Sequence, residues 1–268
     1  MSTDAEPAAL AALAEAVARE AGALLLDGQL NTRRLVTTKT SVTDMVSEMD
    51  HAAEDLIVER LLAARPDDAV LGEEGGERAG TSGVRWVVDP LDGTTNYLYG
   101  HPAWSVSVAA EVDGQGVAGS VFDPSHGEAF TAAVGHGAFL NGEPIGPSDA
   151  DDLSSALIAT GFAYDADRRA RQAEVLTHVL PRVRDIRRYG AASLDLCWVA
   201  CGRQDGYYEV GLQPWDVAAG AVIAAEAGAL VCGVDGGPPT GPSIMTAAPG
   251  LALALLGLLK VADAGGSL

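Results

Sequence analysis

Apolar residues near the start of the chain recur at helical spacing. Residues 7–26, rich in Ala, Leu and Glu, predict a helix that Gly28 ends. Residues 50–65 carry a second helical stripe that stops before a proline. The polar segment between these helices predicts a strand at residues 35–38. The chain therefore opens with two helices, each with an apolar face to bury.

Short apolar runs follow, with the alternation typical of strands. Residues 104–112 and 117–122 alternate on either side of Asp113-Gly114, which predicts a hairpin. Residues 129–134 and 138–140 predict a second hairpin. The first half is thus predicted to be helices packed on a mainly antiparallel sheet.

The second half alternates strands with helices, which implies crossovers and some parallel pairing. The predicted strands are residues 156–160, 185–189, 205–209 and 229–231, and the predicted helices are residues 168–180, 191–201 and 215–227. A polar stretch rich in Pro, Gly and Asp separates the halves. We expect an N-terminal α+β half at residues 1–146 and a C-terminal α/β half at residues 147–268, tightly packed with the site between them.

The most informative polar residues end a continuous apolar run at residues 86–88. Asp89 and Asp92 come first, followed by Gly93 and Thr94. Two carboxylates at a strand end can hold a hard cation. The backbone N–H groups of Gly93 and Thr94 can approach a phosphate, because glycine has no side chain. The alternative is an ordinary Asp/Gly turn that closes a strand.

Four other acids allow both a structural and a chemical interpretation. Glu73 and Glu74 lie among glycines and are either solvated or close to an ion. Asp216 begins a predicted helix, where it could serve as the N-cap, as a metal ligand or as both. Asp50 follows Ser47 by three residues, and this spacing favours a capping box.

Three further positions are ambiguous for similar reasons. Asp44 fits a plain turn residue. Glu209 ends a predicted strand, either as a solvated acid or as a group that contacts substrate. The small residues 190–192 open a helix whose N–H groups could face an anion, although close helix packing explains them equally well.

Bulk properties narrow the function. The 268 residues include 17 Lys+Arg against 37 Asp+Glu, a net charge of −20 that repels nucleic acid and anionic membranes. A phosphate ester would be repelled too, so such a substrate would need bound cations.

The three cysteines form no CxxC pair and the five histidines form no close cluster, which favours a reduced, intracellular setting without zinc. The acidic N-terminus does not resemble a signal peptide, and the apolar run at residues 251–259 is too short to span a bilayer. We therefore expect a soluble, cytoplasmic protein.

Together these motifs resemble the inositol monophosphatase family over roughly residues 36–232, closest to its bacterial inositol-1-monophosphatases. The matching segments, in chain order, are Lys39 with Asp44 and Asp50, Gly72-Glu73-Glu74, Asp89-Pro90-Leu91-Asp92-Gly93-Thr94, Gly190-Ala191-Ala192-Ser193-Leu194-Asp195 and Trp215-Asp216-Val217-Ala218-Ala219-Gly220. The resemblance implies a layered αβαβα sandwich and a lithium-sensitive homodimer. It also implies a Mg²⁺-dependent phosphate monoesterase with about two or three ions per site.

The resemblance also implies a role for each matching residue. The expected metal ligands are Glu73, Asp89, Asp92, Asp216 and the carbonyl of Leu91; the expected substrate contacts are Asp92, Gly93, Thr94, Ala192, Glu209 and Asp216; and the expected supporting groups are Lys39, Asp44 and Glu74. Glu73 and Thr94 are expected to activate the attacking water, with Asp50 polarising Thr94.

Rival functions remain at this point. A haloacid-dehalogenase phosphatase needs a nucleophilic Asp two residues before the second acid, and Pro90 occupies that position. Within the resembling family, the substrate could instead be fructose-1,6-bisphosphate, histidinol phosphate or a nucleotide 3′-phosphate. A divalent-cation- or protein-binding module without catalysis is the non-enzyme alternative. Glu209 favours a neutral polyol, because a carboxylate accepts hydroxyls and repels a second phosphate.

Overall fold

The computed structural model describes residues 6–34, 42–239 and 242–263, and within these ranges it leaves the side chains of residues 30–34 and 42–47 undescribed. The predicted strand at residues 35–38 and the expected supporting group Lys39 lie outside the described residues. Helices α1 (Pro7–Arg34) and α2 (Val42–Ala64) pack together on one side of the molecule. Gly28 lies inside α1 and does not end it, and α2 begins eight residues before the predicted start.

An eight-stranded sheet lies next to these helices. Its strands, in spatial order, are β2 (Gly76–Arg78), β1 (Ala69–Gly72), β3 (Val84–Asp92), β4 (Ser105–Val112), β5 (Gln115–Asp123), β6 (Glu128–Ala133), β7 (Gly137–Leu140) and β8 (Glu143–Pro144). The pairings are antiparallel except for β1 with β3. The hairpin predicted at Asp113-Gly114 is confirmed, with both residues at positive φ as a tight two-residue turn requires. A short helix, α3 (Thr94–Tyr99), follows β3.

A five-stranded sheet forms the second half. Its strands, in spatial order, are β10 (Asp185–Arg187), β9 (Leu157–Thr160), β11 (Gly206–Val210), β13 (Ser243–Ala247) and β12 (Leu230–Cys232). The predicted parallel pairing is confirmed for β9 with β10 and β11. Strand β13 was not predicted, and it lies antiparallel between β11 and β12.

Four more helices complete the layers. They are α4 (Ala166–Val179), α5 (Ala192–Ala200), α6 (Pro214–Glu226) and α7 (Ala252–Ala262). Helices α5 and α6 pack against each other and contact both sheets, whereas α4 and α7 cover the outer side of the five-stranded sheet. This order of layers is the αβαβα sandwich expected from the sequence. The division of the chain at residue 146 stays a prediction, because α5 and α6, which follow it in the sequence, contact both sheets.

Three hydrophobic clusters fill the four interfaces between the five layers, and the central cluster surrounds α5 and α6. Trp86 and Val88 of β3 enter the core under α1 and α2, while Val87 between them enters the central core. This double burial explains why residues 86–88 of β3 are continuously apolar, since both faces of the strand are covered there. Helix α5 is buried all round, as a helix in a middle layer must be. None of the helices in the described ranges combines the length and apolar character needed to cross a bilayer.

Candidate active site

The site begins where β3 ends. The pairing of β3 with β4 loses its register between Asp89 and Asp92, where Pro90 lacks the N–H that a ladder bond needs. Asp89 is 1% exposed, and its Oδ1 accepts a hydrogen bond from the N–H of Leu91 at 3.0 Å. The irregular strand end therefore holds a buried carboxylate in a fixed orientation.

A tight turn carries the chain from Asp92 into α3. Gly93 has φ 91°, and a Cβ at this position would lie 2.9 Å from the carbonyl oxygen of Ala103. Only glycine satisfies both the conformation and the close approach. Thr94 then begins α3, and its Oγ1 donates to the carbonyl oxygen of Leu91 at 3.1 Å. The Thr94 hydroxyl, which is expected to orient the attacking water, thus uses its only proton in this hydrogen bond.

Asp92 faces the start of α5. Its Oδ2 accepts hydrogen bonds from the N–H of Ser193 at 2.8 Å and from the Oγ of Ser193 at 2.6 Å. The hydroxyl of Ser193 also lies 2.8 Å from that of Ser105 on β4. Ala192, the expected phosphate contact, is the first residue of α5, immediately before Ser193. The first turn of α5 therefore lies against the end of β3. The sequence motif contained Ser193 but gave no sign of its contact with Asp92.

Asp216 lies in the first turn of α6. It is the third helical residue, not the N-cap, so its predicted capping position is wrong. Its Oδ2 accepts a hydrogen bond from the N–H of Gln213, the N-cap residue, at 2.7 Å in a reciprocal capping box. The sequence missed this arrangement because Pro214, at the first helical position, moves the helix start upstream.

Glu73 and Glu74 follow β1 in a turn that is hydrogen-bonded to α2. Glu54 of α2 is 5% exposed, and its carboxylate accepts the N–H of Glu74 at 2.9 Å and that of Gly75 at 2.5 Å. The carboxylate of Glu74 lies 2.9 Å from Nδ1 of His51. Glu54 was not among the predicted site residues, because an acid in a helical stripe resembles an ordinary surface residue.

Asp50 lies one helical turn before Glu54, within α2. The predicted capping box with Ser47 is wrong, because α2 already begins at Val42. Asp44, predicted as a turn residue, also lies within α2, although its side chain is not described. Asp50 is buried, and its Oδ1 has no hydrogen-bond partner in the described part of the chain. Burial first, and then the charges of Glu74, Glu73 and Glu54, raise the pKa of Asp50 to about 8.

The acids at the strand end perturb one another. Burial and the charge of Asp216 raise the pKa of Asp92 to about 7. The residue Glu73 is exposed as a whole, but lost hydration of its carboxyl group and the charge of Asp216 raise its pKa to about 7. Burial, followed by the charges of Asp92 and Glu73, raises the pKa of Asp89 well above its usual range. The pKa of Asp216 is raised by burial. Over the described residues, no cation is among the groups that shift these four pKa values.

This donor set fits a hard divalent cation. The groups are carboxylate oxygens, and the Leu91 carbonyl lies beside them, as Mg²⁺ and Ca²⁺ prefer. In the conformation described, however, no three His, Cys, Asp or Glu side chains in residues 6–34, 42–239 and 242–263 converge closely enough to hold an ion. Asp92 and Asp216 are instead bonded to Ser193 and Gln213. To complete a coordination shell, these acids would have to approach one another, each offering the carboxylate oxygen that these bonds leave unused.

Glu209 approaches the same acids from the five-stranded sheet. Its Oε2 accepts the hydroxyl of Tyr207 at 2.7 Å. Burial is the main cause of its raised pKa, Arg188 opposes the shift, and Asp216 adds to it. The Glu209 carboxylate fills the space beside Gly161, where a Cβ would lie 1.8 Å from Oε2. Glu209 therefore occupies a defined position beside the acid cluster, and it is not simply a solvated strand end.

An open cavity of about 610 Å³ lies next to the cluster. Its lining includes Asn96 of α3, Arg188, Tyr189 and Trp198, but none of the four acids. The amide of Asn96 donates to the carbonyl oxygens of Ala103 and Tyr189, at 2.6 and 2.7 Å. These bonds join α3 to the segment that leads into α5.

Comparison with known proteins shows what the chain is similar to. The model of the inositol monophosphatase family matches residues 6–260. Inositol-1-monophosphatase SuhB of Mycobacterium tuberculosis is 45% identical, over 96% of this chain and 95% of the relative. The solved structure of M. tuberculosis SuhB superposes with a TM-score of 0.85 at 45% identity, covering 96% of this chain and 98% of that one.

Two further matches carry other names or a bound ligand. A protein of Pasteurella multocida named Nus factor SuhB is 40% identical, over 91% of this chain and 92% of its own length. A solved structure of SaIMPase-II with inositol monophosphate bound has a TM-score of 0.78 at 28% identity, and the match covers 96% of both chains.

Proposed function

Because this chain belongs to the inositol monophosphatase family, we propose that it hydrolyses inositol-1-phosphate to inositol and inorganic phosphate with Mg²⁺ as cofactor. The observation that carries the proposal is the cluster of mutually perturbed acids where β3 meets α5 and α6. Buried carboxylates without a cationic partner are costly to ionise unless a metal ion neutralises them. The cluster therefore favours a metal-dependent reaction on an anionic substrate.

The proposed ligands are Glu73, Asp89, the Leu91 carbonyl, Asp92 and Asp216. Bound Mg²⁺ would lower the pKa of the attacking water and stabilise the charge that develops on the leaving alkoxide. The chain fixes these ligands from three directions: the end of β3, the first turn of α6 and the turn after β1. We propose about two or three ions per site, as the number of ligands allows.

The phosphate group would lie at the start of α5. The N–H groups of Gly93 and Thr94 and the helix start at Ala192 are donors that attract its oxygens. Thr94 donates its own proton to Leu91, so its oxygen can accept a hydrogen bond from the attacking water. Glu73 would accept the other proton of that water. Asp50 was expected to polarise Thr94, but the Thr94 proton points to Leu91 in this structure.

Glu209 would bind the alcohol. Tyr207 fixes one carboxylate oxygen, which leaves the other to accept a ring hydroxyl. This arrangement favours a polyol over fructose-1,6-bisphosphate, whose second phosphate Glu209 would repel. Pro90 argues against a phospho-aspartate intermediate, because no acid stands two residues before Asp92.

The test is phosphate release from a panel of esters, with and without Mg²⁺. The panel contains inositol-1-phosphate, fructose-1,6-bisphosphate, histidinol phosphate and a nucleotide 3′-phosphate. We expect Mg²⁺-dependent turnover that is fastest on inositol-1-phosphate and is inhibited by Li⁺. Faster turnover of another ester would transfer the proposal to that substrate. Mg²⁺ binding without release from any ester would favour a divalent-cation- or protein-binding module.

We further propose that the protein works in the cytoplasm as a homodimer, in line with the family resemblance. Sedimentation of the purified protein would test the dimer. A monomer at micromolar concentration would contradict it.

A further inference from the structure

Glu54 is a buried acid that the proposed mechanism does not use. It lies one turn after Asp50 on α2, and the α2 surface at this point faces the turn after β1. Its two carboxylate oxygens have separate partners: Oε2 accepts the N–H of Glu74 and Oε1 accepts the N–H of Gly75. Such charge-assisted bonds are stronger and more directional than bonds between neutral groups.

The glycines of this turn make room for that carboxylate. A Cβ at Gly72 would lie 2.6 Å from both oxygens of Glu54, and a Cβ at Gly75 would lie 2.6 Å from Oε1. Neither glycine has a positive φ. Their backbone conformation is therefore open to other residues, and a side chain at either position would push the Glu54 carboxylate out of its present place.

A second contact holds the same turn. His51, also on α2, contacts the carboxylate of Glu74, so side chains from one helical turn hold both the backbone and a side chain of the loop. Glu73 is thus fixed from its C-terminal side by these contacts and from its N-terminal side by the pairing of Gly72 in β1 with Val88 of β3. Its own carboxyl group remains directed at Asp89 and Asp216.

We propose that Glu54 is a positioning residue that sets Glu73 as a metal ligand by holding the N–H groups of Glu74 and Gly75. This inference rests on the proposed function, since it assumes that Glu73 binds Mg²⁺. Groups that orient metal ligands affect metal affinity by about 10- to 100-fold when they are removed. Glu54 acts on Glu73 through the backbone N–H groups of the two residues that follow it, so Mg²⁺ affinity should depend on the length of the Glu54 side chain.

The test separates position from charge by direct measurement of Mg²⁺ binding, using calorimetry without substrate. Glu54→Asp keeps the charge and withdraws the carboxylate by one methylene, whereas Glu54→Gln removes the charge and keeps the length of the side chain. Gly75→Ala keeps every charge and places a methyl carbon 2.6 Å from Oε1, which is too close for the carboxylate to keep its present position. Glu59→Gln is the matched control: it removes a charge from the same helix at an exposed position paired with Arg60.

We expect Glu54→Asp and Gly75→Ala each to weaken Mg²⁺ binding by about 10-fold or more, with turnover largely recovered at saturating Mg²⁺. Glu59→Gln should bind Mg²⁺ as the wild type does. If Glu54→Gln weakens binding while both charge-preserving variants bind normally, charge and not position is responsible, and the inference fails. Unchanged binding in all variants, beside a wild type that binds Mg²⁺, overturns this inference alone. A wild type that binds no Mg²⁺ overturns the proposed function as well.

Discussion

Replacement of Glu209 by alanine tests the substrate assignment most directly. Glu209 belongs to β11, and its Oε2 is fixed by the hydroxyl of Tyr207. The remaining oxygen is the proposed acceptor for a ring hydroxyl of the alcohol. The substitution would remove that acceptor without touching Asp89, Asp92 or Asp216. It should therefore affect recognition of the alcohol more than the attack at phosphorus.

The size of the effect follows from the contact that is lost. One hydrogen bond to a charged group contributes about 1.5–3 kcal/mol. We therefore expect kcat/KM for inositol-1-phosphate to fall by about 10-fold or more in Glu209→Ala. A simple aryl phosphate has no ring hydroxyl, so its hydrolysis should change much less. Tyr207→Phe, which frees the Glu209 carboxylate from its anchor, should give a smaller loss in the same direction.

The assay is phosphate release from both substrates at saturating Mg²⁺, with thermal melting to check the fold of each variant. Equal losses on inositol-1-phosphate and on the aryl phosphate would refute the reasoning. That result would mean that Glu209 supports the acid cluster or the fold, and the polyol assignment would lose its main support.

Three other predictions concern the acids and the reaction. Asp92→Asn should lower turnover by several orders of magnitude while circular dichroism shows an intact fold, because the amide keeps the shape but not the ligand charge; near-normal turnover would exclude Asp92 as a ligand. A chiral thiophosphate ester hydrolysed in labelled water should show inversion at phosphorus, since Pro90 stands where the nucleophilic Asp of a phospho-enzyme mechanism would have to be; retention would contradict this. The metal-free protein should become less stable as pH rises from about 4 to 7–8: the unfolded carboxylates ionise near pH 4, whereas folded Asp92 and Asp50 keep their protons until about pH 7 and 8. Because these acids titrate together, the loss belongs to the whole cluster and not to Asp92 alone. Chemical denaturation at pH 5.5 and 8, with and without Mg²⁺, measures it, and stability that increases with pH in the absence of metal would show that these acids are not perturbed.

Local patterns predicted the elements that local chemistry determines. The hairpin at Asp113-Gly114 needs two residues that tolerate positive φ, and the sequence provides them. The start of α2 at Val42 was missed although the sequence marks it, because Val42, Met45, Val46 and Met49 recur at helical spacing and lead into the stripe of residues 50–65. Gly28 was misread as a helix end. Gly28 lies inside α1 against the side chain of Met49, to which a Cβ would come within 2.5 Å. Strand β13 was missed although one of its partners, β12, is the strand immediately before it in the sequence; the other partner is β11.

The acids at the ends of single elements were predictable, but the contacts between elements were not. Asp89 and Asp92 follow an apolar run, and Asp216 opens a helix; both features are visible in a short window. Ser193 and Glu54 act through partners about 100 and 20 residues away. Nothing local in a helical stripe marks such residues, so only the packing of α2 and α5 against the end of β3 reveals them.

Asp89, Asp92 and Asp216 can act both as caps of backbone N–H groups and as metal ligands, because one geometry serves both roles. Asp89, Asp92 and Asp216 each engage a backbone N–H through one oxygen, at 3.0, 2.8 and 2.7 Å. A carboxylate has two oxygens, so an acid oriented by the backbone through one can offer the other to a cation. The bonds that complete a strand end and two helix starts would thereby also preorganise a metal site. This explains why sequence alone could not separate the two roles, and why removal of any one acid should disturb local structure less than it disturbs metal binding.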